Sequence, residues 1–106
     1  MSYRFMSVMV FFDLPVETRP QRREYARFRR FLVKTGFLMM QESVYSKIAL
    51  NATAAEAIRR AVLAQSPAAG IVQLMIVTEK QYNSIEFVTG NAESETLATD
   101  ERLVIL

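Results

Sequence analysis

The stretch YRFMSVMVFFDLP, residues 3–15, decides the fold. Up to Phe12 it is dominated by β-branched, aromatic and Met residues, a composition typical of a β-strand. Pro15 ends the strand because proline has no backbone N–H to donate to a ladder. Both alternating sets of side chains are largely apolar, which predicts a strand that is covered on both faces of its sheet. We therefore place a first strand at residues 3–12.

A helix follows this strand. Thr18 and Gln21 form a capping box with Pro20 in the first turn, and Gly36 is a natural left-handed stop. These signals predict a helix over residues 19–35. Five residues follow helical spacing along it and should face the sheet, namely Tyr25, Phe28, Phe31, Leu32 and Thr35.

The rest of the chain continues as a succession of short elements. Residues 37–50 are strand-like around a turn at 41–43, and Thr53 and Glu56 form a second capping box for a helix that ends near Gln65. Residues 71–77 predict a fourth strand, and residues 78–81 can cap a short helical turn. An extended stretch at 85–89 and a polar loop at 90–101 then precede a last strand of Leu103, Val104, Ile105 and Leu106.

The order βαββαβ predicts an α+β fold of the ferredoxin-like type, an antiparallel sheet with two helices on one face and an additional C-terminal strand. With 106 residues the chain has the length of one domain, residues 1–106. The face opposite the helices needs a cover, and a homodimer is the simplest one. The last strand could pair with an exposed sheet edge on its own subunit or on a second one.

Composition excludes several kinds of chemistry. The chain has neither Cys nor His, so disulfides, thiolate nucleophiles, cysteine zinc sites and imidazole bases are absent. The start shows no signal-peptide pattern, and no apolar run approaches the ~20 residues of a membrane span. The sequence therefore predicts a cytoplasmic protein with no membrane partner.

Positive charge is concentrated in the first part of the chain. Residues 1–60 carry eleven basic and five acidic side chains, whereas residues 61–106 carry two basic and six acidic ones. Seven basic residues between positions 19 and 34 face only one acid, Glu24. Because such a helix repels itself in the absence of an anion, we predict contacts with nucleic-acid phosphates rather than a merely solvated helix face. The candidates are Arg19, Arg22, Arg23, Arg27, Arg29 and Arg30.

Aromatic side chains offer a second mode of nucleic-acid binding. Phe28, Phe31 and the aromatic residues of the first strand could stack unpaired bases. Arg4 is the only basic residue on strands one and four, so the sequence favours packing in the core for these rings.

Asp13 is the only acidic residue within the first 16 positions. As a turn former before Leu14 and Pro15, its carboxylate would accept backbone N–H groups. As a metal ligand, two copies brought together by a dimer axis could hold Mg²⁺, which prefers oxygen ligands and keeps several waters. One carboxylate per subunit without histidine is sparse for a two-metal nuclease.

At the level of motifs the whole chain resembles the Cas2 family of small CRISPR-associated adaptation proteins. It is most similar to members from systems whose effector is a single large RNA-guided nuclease. The resemblance rests on the motifs FDLP at 12–15, KTGF at 34–37, QESVYSK at 41–47, VTEKQY at 77–82 and ERLVIL at 101–106, together with the Arg-rich helix.

This resemblance implies a homodimer of ferredoxin-like subunits clamped between dimers of the Cas1 integrase during spacer acquisition. The small dimer would serve as a bridge and double-stranded DNA platform for the prespacer and the CRISPR repeat, while the integrase transfers strands. Some members are described as metal-dependent nucleases, and their metal-binding catalytic aspartate corresponds to Asp13. The alternative function is thus a Mg²⁺-dependent endonuclease or endoribonuclease. A domain that binds a small metabolite is disfavoured by the lack of a Gly-rich loop.

Overall fold

The computed structural model describes residues 5–91. The elements are β1 (Met6–Asp13), α1 (Arg19–Lys34), β2 (Leu38–Gln41), β3 (Val44–Ala49), α2 (Ala52–Gln65), β4 (Ile71–Thr78) and α3 (Glu79–Asn83). The predicted terminal strand of Leu103, Val104, Ile105 and Leu106 lies outside the described residues. Within residues 5–91, no helix combines the length and apolarity needed to cross a bilayer.

Four strands form one antiparallel sheet in the order β2-β3-β1-β4. β1 is central, and it pairs Met9 with Ser46 on one side and with Met75 on the other. This topology confirms the predicted ferredoxin-like α+β fold. Residues 85–89, predicted to be extended, form no strand.

The main core lies between the sheet and the two long helices. Val8, Val10 and Phe12 of β1 are buried against Phe28 and Leu32 of α1. The Phe12 ring is central, with ring centroids 5.4 Å from Phe28 at a right angle and 5.7 Å from Tyr45 in a stacked pair. These contacts fix α1 on the sheet and determine which of its faces points outward.

Local signals define both ends of α1. The predicted capping box is present, with the Thr18 side chain accepting from the Gln21 N–H. At the other end Gly36 adopts φ +101°, and Lys47 of β3 donates from Nζ to the Thr35 carbonyl. A cation at this position is favourable because the C-terminal end of a helix carries a partial negative charge.

The start of α2 differs from the prediction. Asn51 is the N-cap, and its side chain accepts a 2.8 Å bond from the Ala54 N–H. The predicted capping box of Thr53 and Glu56 is therefore wrong, because both residues already lie inside the helix. Asn51 is among the strongest N-cap residues, and it starts the helix earlier in the sequence.

The second sheet face is covered in part by the chain itself. α3 packs there, with the Tyr82 hydroxyl 3.3 Å from the Ser46 hydroxyl and the Glu79 N–H bonded to the Phe5 carbonyl. Large apolar side chains nevertheless remain exposed on or beside this face, including Phe5, Ile48, Leu50, Ile71, Met75, Ile85, Phe87 and Val88. The sequence predicted that a partner covers the whole of this face, whereas α3 of the same chain covers part of it.

Candidate functional site

The outer face of α1 carries a row of four cations, Arg19, Arg23, Arg30 and Lys34, here called the outer row. At 3.6 residues per turn they fall within an arc of about 60°, opposite the buried Phe28 and Leu32, and span about 22 Å of helix. All four are exposed and form no hydrogen bond or ion pair with another residue of the described chain. Their charges are therefore available to an external anion.

Two of the other three predicted phosphate contacts, Arg22 and Arg27, are engaged inside the molecule. Arg22 donates from Nη1 to the carbonyls of Val16 and Glu17, at 3.2 and 2.9 Å, and so holds the β1–α1 loop. Arg27 binds both carboxylate oxygens of Glu24 and donates to the Gln65 carbonyl at 2.9 Å and to the Gln65 side chain at 3.1 Å. Arg27 thus ties α1 to the C-terminal end of α2.

Arg29 is exposed on α1 and lies near the Tyr45 hydroxyl. Burial raises the pKa of the Tyr45 hydroxyl, and the neighbouring Arg29 guanidinium partly opposes this effect. The Tyr45 hydroxyl is buried and forms no hydrogen bond of standard geometry within residues 5–91, although the Arg29 guanidinium is near enough to act on it. Arg29 is therefore associated with the core edge rather than with the outer row.

A shallow depression lies between α1 and the end of α2. Its volume is about 540 Å³, and its lining residues are Arg27, Arg29, Arg30, Phe31, Val33, Lys34 and Gln65. Phe31 packs against the core, as the sequence predicted, and its ring centroid lies 6.3 Å from that of Phe28; part of the side chain remains exposed and lines the depression. Two members of the outer row, Arg30 and Lys34, border this depression.

The second helix contributes a weaker basic feature. Arg59 and Arg60 both bind Glu56, at 2.7 and 3.4 Å. Hydrogen bonding from Arg59 lowers the pKa of the Glu56 carboxyl below its ordinary value. One carboxylate is thus shared by two arginines, at the helical spacing that the sequence shows, so the group keeps one net positive charge.

Asp13 is exposed at the end of β1, on the strand set that includes Met9 and Phe11 and faces away from the long helices. No residue of the described chain donates a hydrogen bond to its carboxylate, so the structure does not support the turn-former interpretation. The backbone of Asp13 packs closely against Gly70. A Cβ added at Gly70 would lie 2.7 Å from the Asp13 carbonyl oxygen. Residues 5–91 contain no group of three or more acidic, His or Cys side chains suited to a metal.

Comparison with known proteins gives a consistent result. The family model of CRISPR-associated protein Cas2 matches residues 6–85. The chain belongs to the Cas2 family. A relative from Treponema denticola is 48% identical over 101 residues, covering 95% of this chain and all of the relative. Relatives from Ligilactobacillus salivarius and Streptococcus mutans are 43% and 38% identical, each over 95% of this chain and over 100% and 93% of their own lengths. All three are named CRISPR-associated endoribonuclease Cas2.

Membership of the Cas2 family confirms the resemblance seen in the sequence, and the structure adds detail within it. The spacing of four, seven and eleven residues from Arg23 already predicts that Arg27, Arg30 and Lys34 share its helix face, and the structure leaves Arg23, Arg30 and Lys34 without a described partner there. The engagement of Arg27 with Gln65 had no sequence signal, because the two residues are 38 positions apart.

Proposed function

We propose that this member of the Cas2 family is a homodimeric bridge and double-stranded DNA platform of the spacer-integration complex with the Cas1 integrase. The outer row is the observation that carries the proposal. Its four unpaired cations lie on one exposed face, and sequence-independent duplex binding rests on neutralising phosphates in this way.

The position of Arg19 adds to this argument. It lies in the first turn of α1, which contains no acidic residue, although the N-terminal end of a helix favours negative charge. A phosphate bound at this end would relieve the unfavourable interaction between Arg19 and the helix dipole.

The second sheet face supports the dimer. Ile48, Ile71 and Met75 are 63%, 57% and 50% exposed on strands whose opposite side is core. Apolar side chains exposed toward both ends of one sheet face, beside Ser7 and beside Asp13 of β1, fit a self-complementary two-fold interface. A second copy of this chain is the occupant that completes the cover begun by α3.

The decisive experiment mixes the full-length protein with the integrase and a short duplex, and follows the complex by sedimentation and spacer integration. We expect one stable assembly, with both readouts lost when the outer row is changed to glutamine together. Lys80→Gln, an exposed lysine of α3, is the charge control and should change neither. Full integration by the outer-row variant would refute the platform.

A second candidate function is favoured by the unpaired carboxylate of Asp13 and by the endoribonuclease name of the relatives. Mg²⁺ fits one or two carboxylates when water completes its coordination, so Asp13 and its dimer mate would hold it. The bound ion would supply an activated water for phosphodiester hydrolysis. Asp13 itself would remain ionised and position the ion at the end of β1.

Asp13→Asn separates the two functions, because it removes the charge and nearly keeps the shape. We expect integration to remain intact, and any Mg²⁺-dependent cleavage to be weak in the natural protein and absent in the variant. If the variant stopped integration while its fold, dimer and integrase binding were unchanged, the carboxylate would have a chemical role and the nuclease function would replace the platform.

A further inference from the structure

We infer that the depression between α1 and α2 holds an unpaired nucleotide of a DNA strand. Its base would stack on Phe31, and the phosphates on either side of it would contact Arg30 and Lys34. This inference rests on the proposed nucleic-acid function and extends its ligand from duplex to single-stranded DNA. It concerns the helix side of the molecule, on the opposite side of the sheet from the face that includes Asp13.

The lining of the depression has the two parts that such a site needs. Phe31 is half-buried and backed by Phe28 at 6.3 Å with an interplanar angle of 28°, so its ring is held in place. An aromatic ring beside a basic surface is the usual arrangement for binding single strands, because every base has a face that stacks.

The charges of this site are also suitable. Arg30 and Lys34 are four residues apart on one helix face, about 6 Å along the axis, and both lack a described partner. Arg27 is held by Glu24 and Gln65 and forms a fixed wall. No carboxylate of residues 5–91 lines the depression, and the Glu24 carboxylate behind its wall is already bound to Arg27. An acidic protein segment could pair with the charges of Arg30 and Lys34, but its binding would not depend on stacking against the Phe31 ring.

Fluorescence anisotropy on the full-length protein tests the inference with a blunt duplex and with the same duplex carrying a short oligothymidine overhang. We expect the duplex with the overhang to bind more tightly than the blunt duplex. Phe31→Leu should weaken binding of the overhang duplex by at least about fivefold and leave binding of the blunt duplex unchanged. Phe31→Tyr, which keeps an aromatic ring at the same position, is the matched control and should retain the gain. Arg30→Gln should lower the salt slope of the overhang contribution by about 0.7, the value for one phosphate of a single strand.

A second measurement does not depend on any variant folding well. In NMR spectra of the natural protein, titration with oligothymidine should shift the Phe31 ring signals, whereas polyglutamate should not. Equal shifts with polyglutamate, or an overhang gain that survives Phe31→Leu, would overturn the inference in favour of a purely electrostatic surface. Blunt-duplex binding that depends on the outer row, with no gain from the overhang, would refute this inference alone. Binding of the overhang alone would support it and refute the duplex platform.

Discussion

Arg23 and Arg27 lie one turn apart on α1, and the structure predicts that changing each to glutamine affects a different property, DNA binding for Arg23 and stability for Arg27. Arg23 belongs to the outer row and has no described partner, whereas Arg27 makes four hydrogen bonds to Glu24 and Gln65. Arg23→Gln should therefore weaken DNA binding and spare stability. Arg27→Gln should lower stability and leave the phosphate contacts of the outer row in place.

The magnitudes follow from the exposure of each contact. The ion pair of Arg27 with Glu24 is 35% and 51% exposed, so solvent screening limits it to about 0.5 kcal/mol. The charged hydrogen bond to the Gln65 carbonyl adds about 1 kcal/mol. Together these lower the melting temperature by about 5–10 °C in a domain of this size. Arg23→Gln should stay within about 0.5 kcal/mol of the natural protein.

Two assays read out the difference. Urea unfolding gives the free energy of unfolding, and duplex binding over a range of salt gives the number of phosphate contacts. Arg23→Gln should reduce the slope of log K against log salt by about 0.9 per subunit. The reasoning would be refuted if Arg27→Gln changed the salt slope more than Arg23→Gln, or if Arg23→Gln were the less stable variant.

Three further outcomes are expected. Tyr45→Phe removes a buried hydroxyl that forms no hydrogen bond of standard geometry within residues 5–91 and should raise stability by about 1 kcal/mol at neutral pH. Because burial raises the pKa of Tyr45 above its ordinary 10.0, the unfolded chain loses this proton first. The stability of the natural protein should thus fall as pH rises through 10.0, and urea unfolding of Tyr45→Phe should show a smaller fall; an equal fall would contradict the assignment. Lys47→Met removes the hydrogen bond to the Thr35 carbonyl and should lower the free energy of unfolding by about 0.5–1 kcal/mol in urea unfolding. An unchanged free energy of unfolding would show that this bond does not stabilise the end of α1. Ile48→Glu charges the exposed second sheet face and should convert a dimer of about 24 kDa into a monomer in sedimentation, and a persisting dimer would place the interface elsewhere.

Sequence reasoning was effective for the fold because the elements carry local signals. The apolar stretch before Pro15, the capping box at Thr18 and the stop at Gly36 act over a few residues, and the structure confirms each of them. The start of α2 was misplaced because two N-cap candidates, Asn51 and Thr53, stand two positions apart, and the stronger cap prevailed.

The sequence by itself determined the ferredoxin-like order of elements, the concentration of arginine on α1 and the family, since strand composition, helix caps and motifs are all read locally. Only the tertiary structure decided which cations are available. Arg27 meets Gln65 because α1 and α2 pack side by side, and the same packing leaves Arg23 without a partner. It also brought Tyr82 onto Ser46, so that α3 covers part of the second sheet face. Contacts between residues far apart in the chain depend on how the elements pack, and no local pattern encodes them.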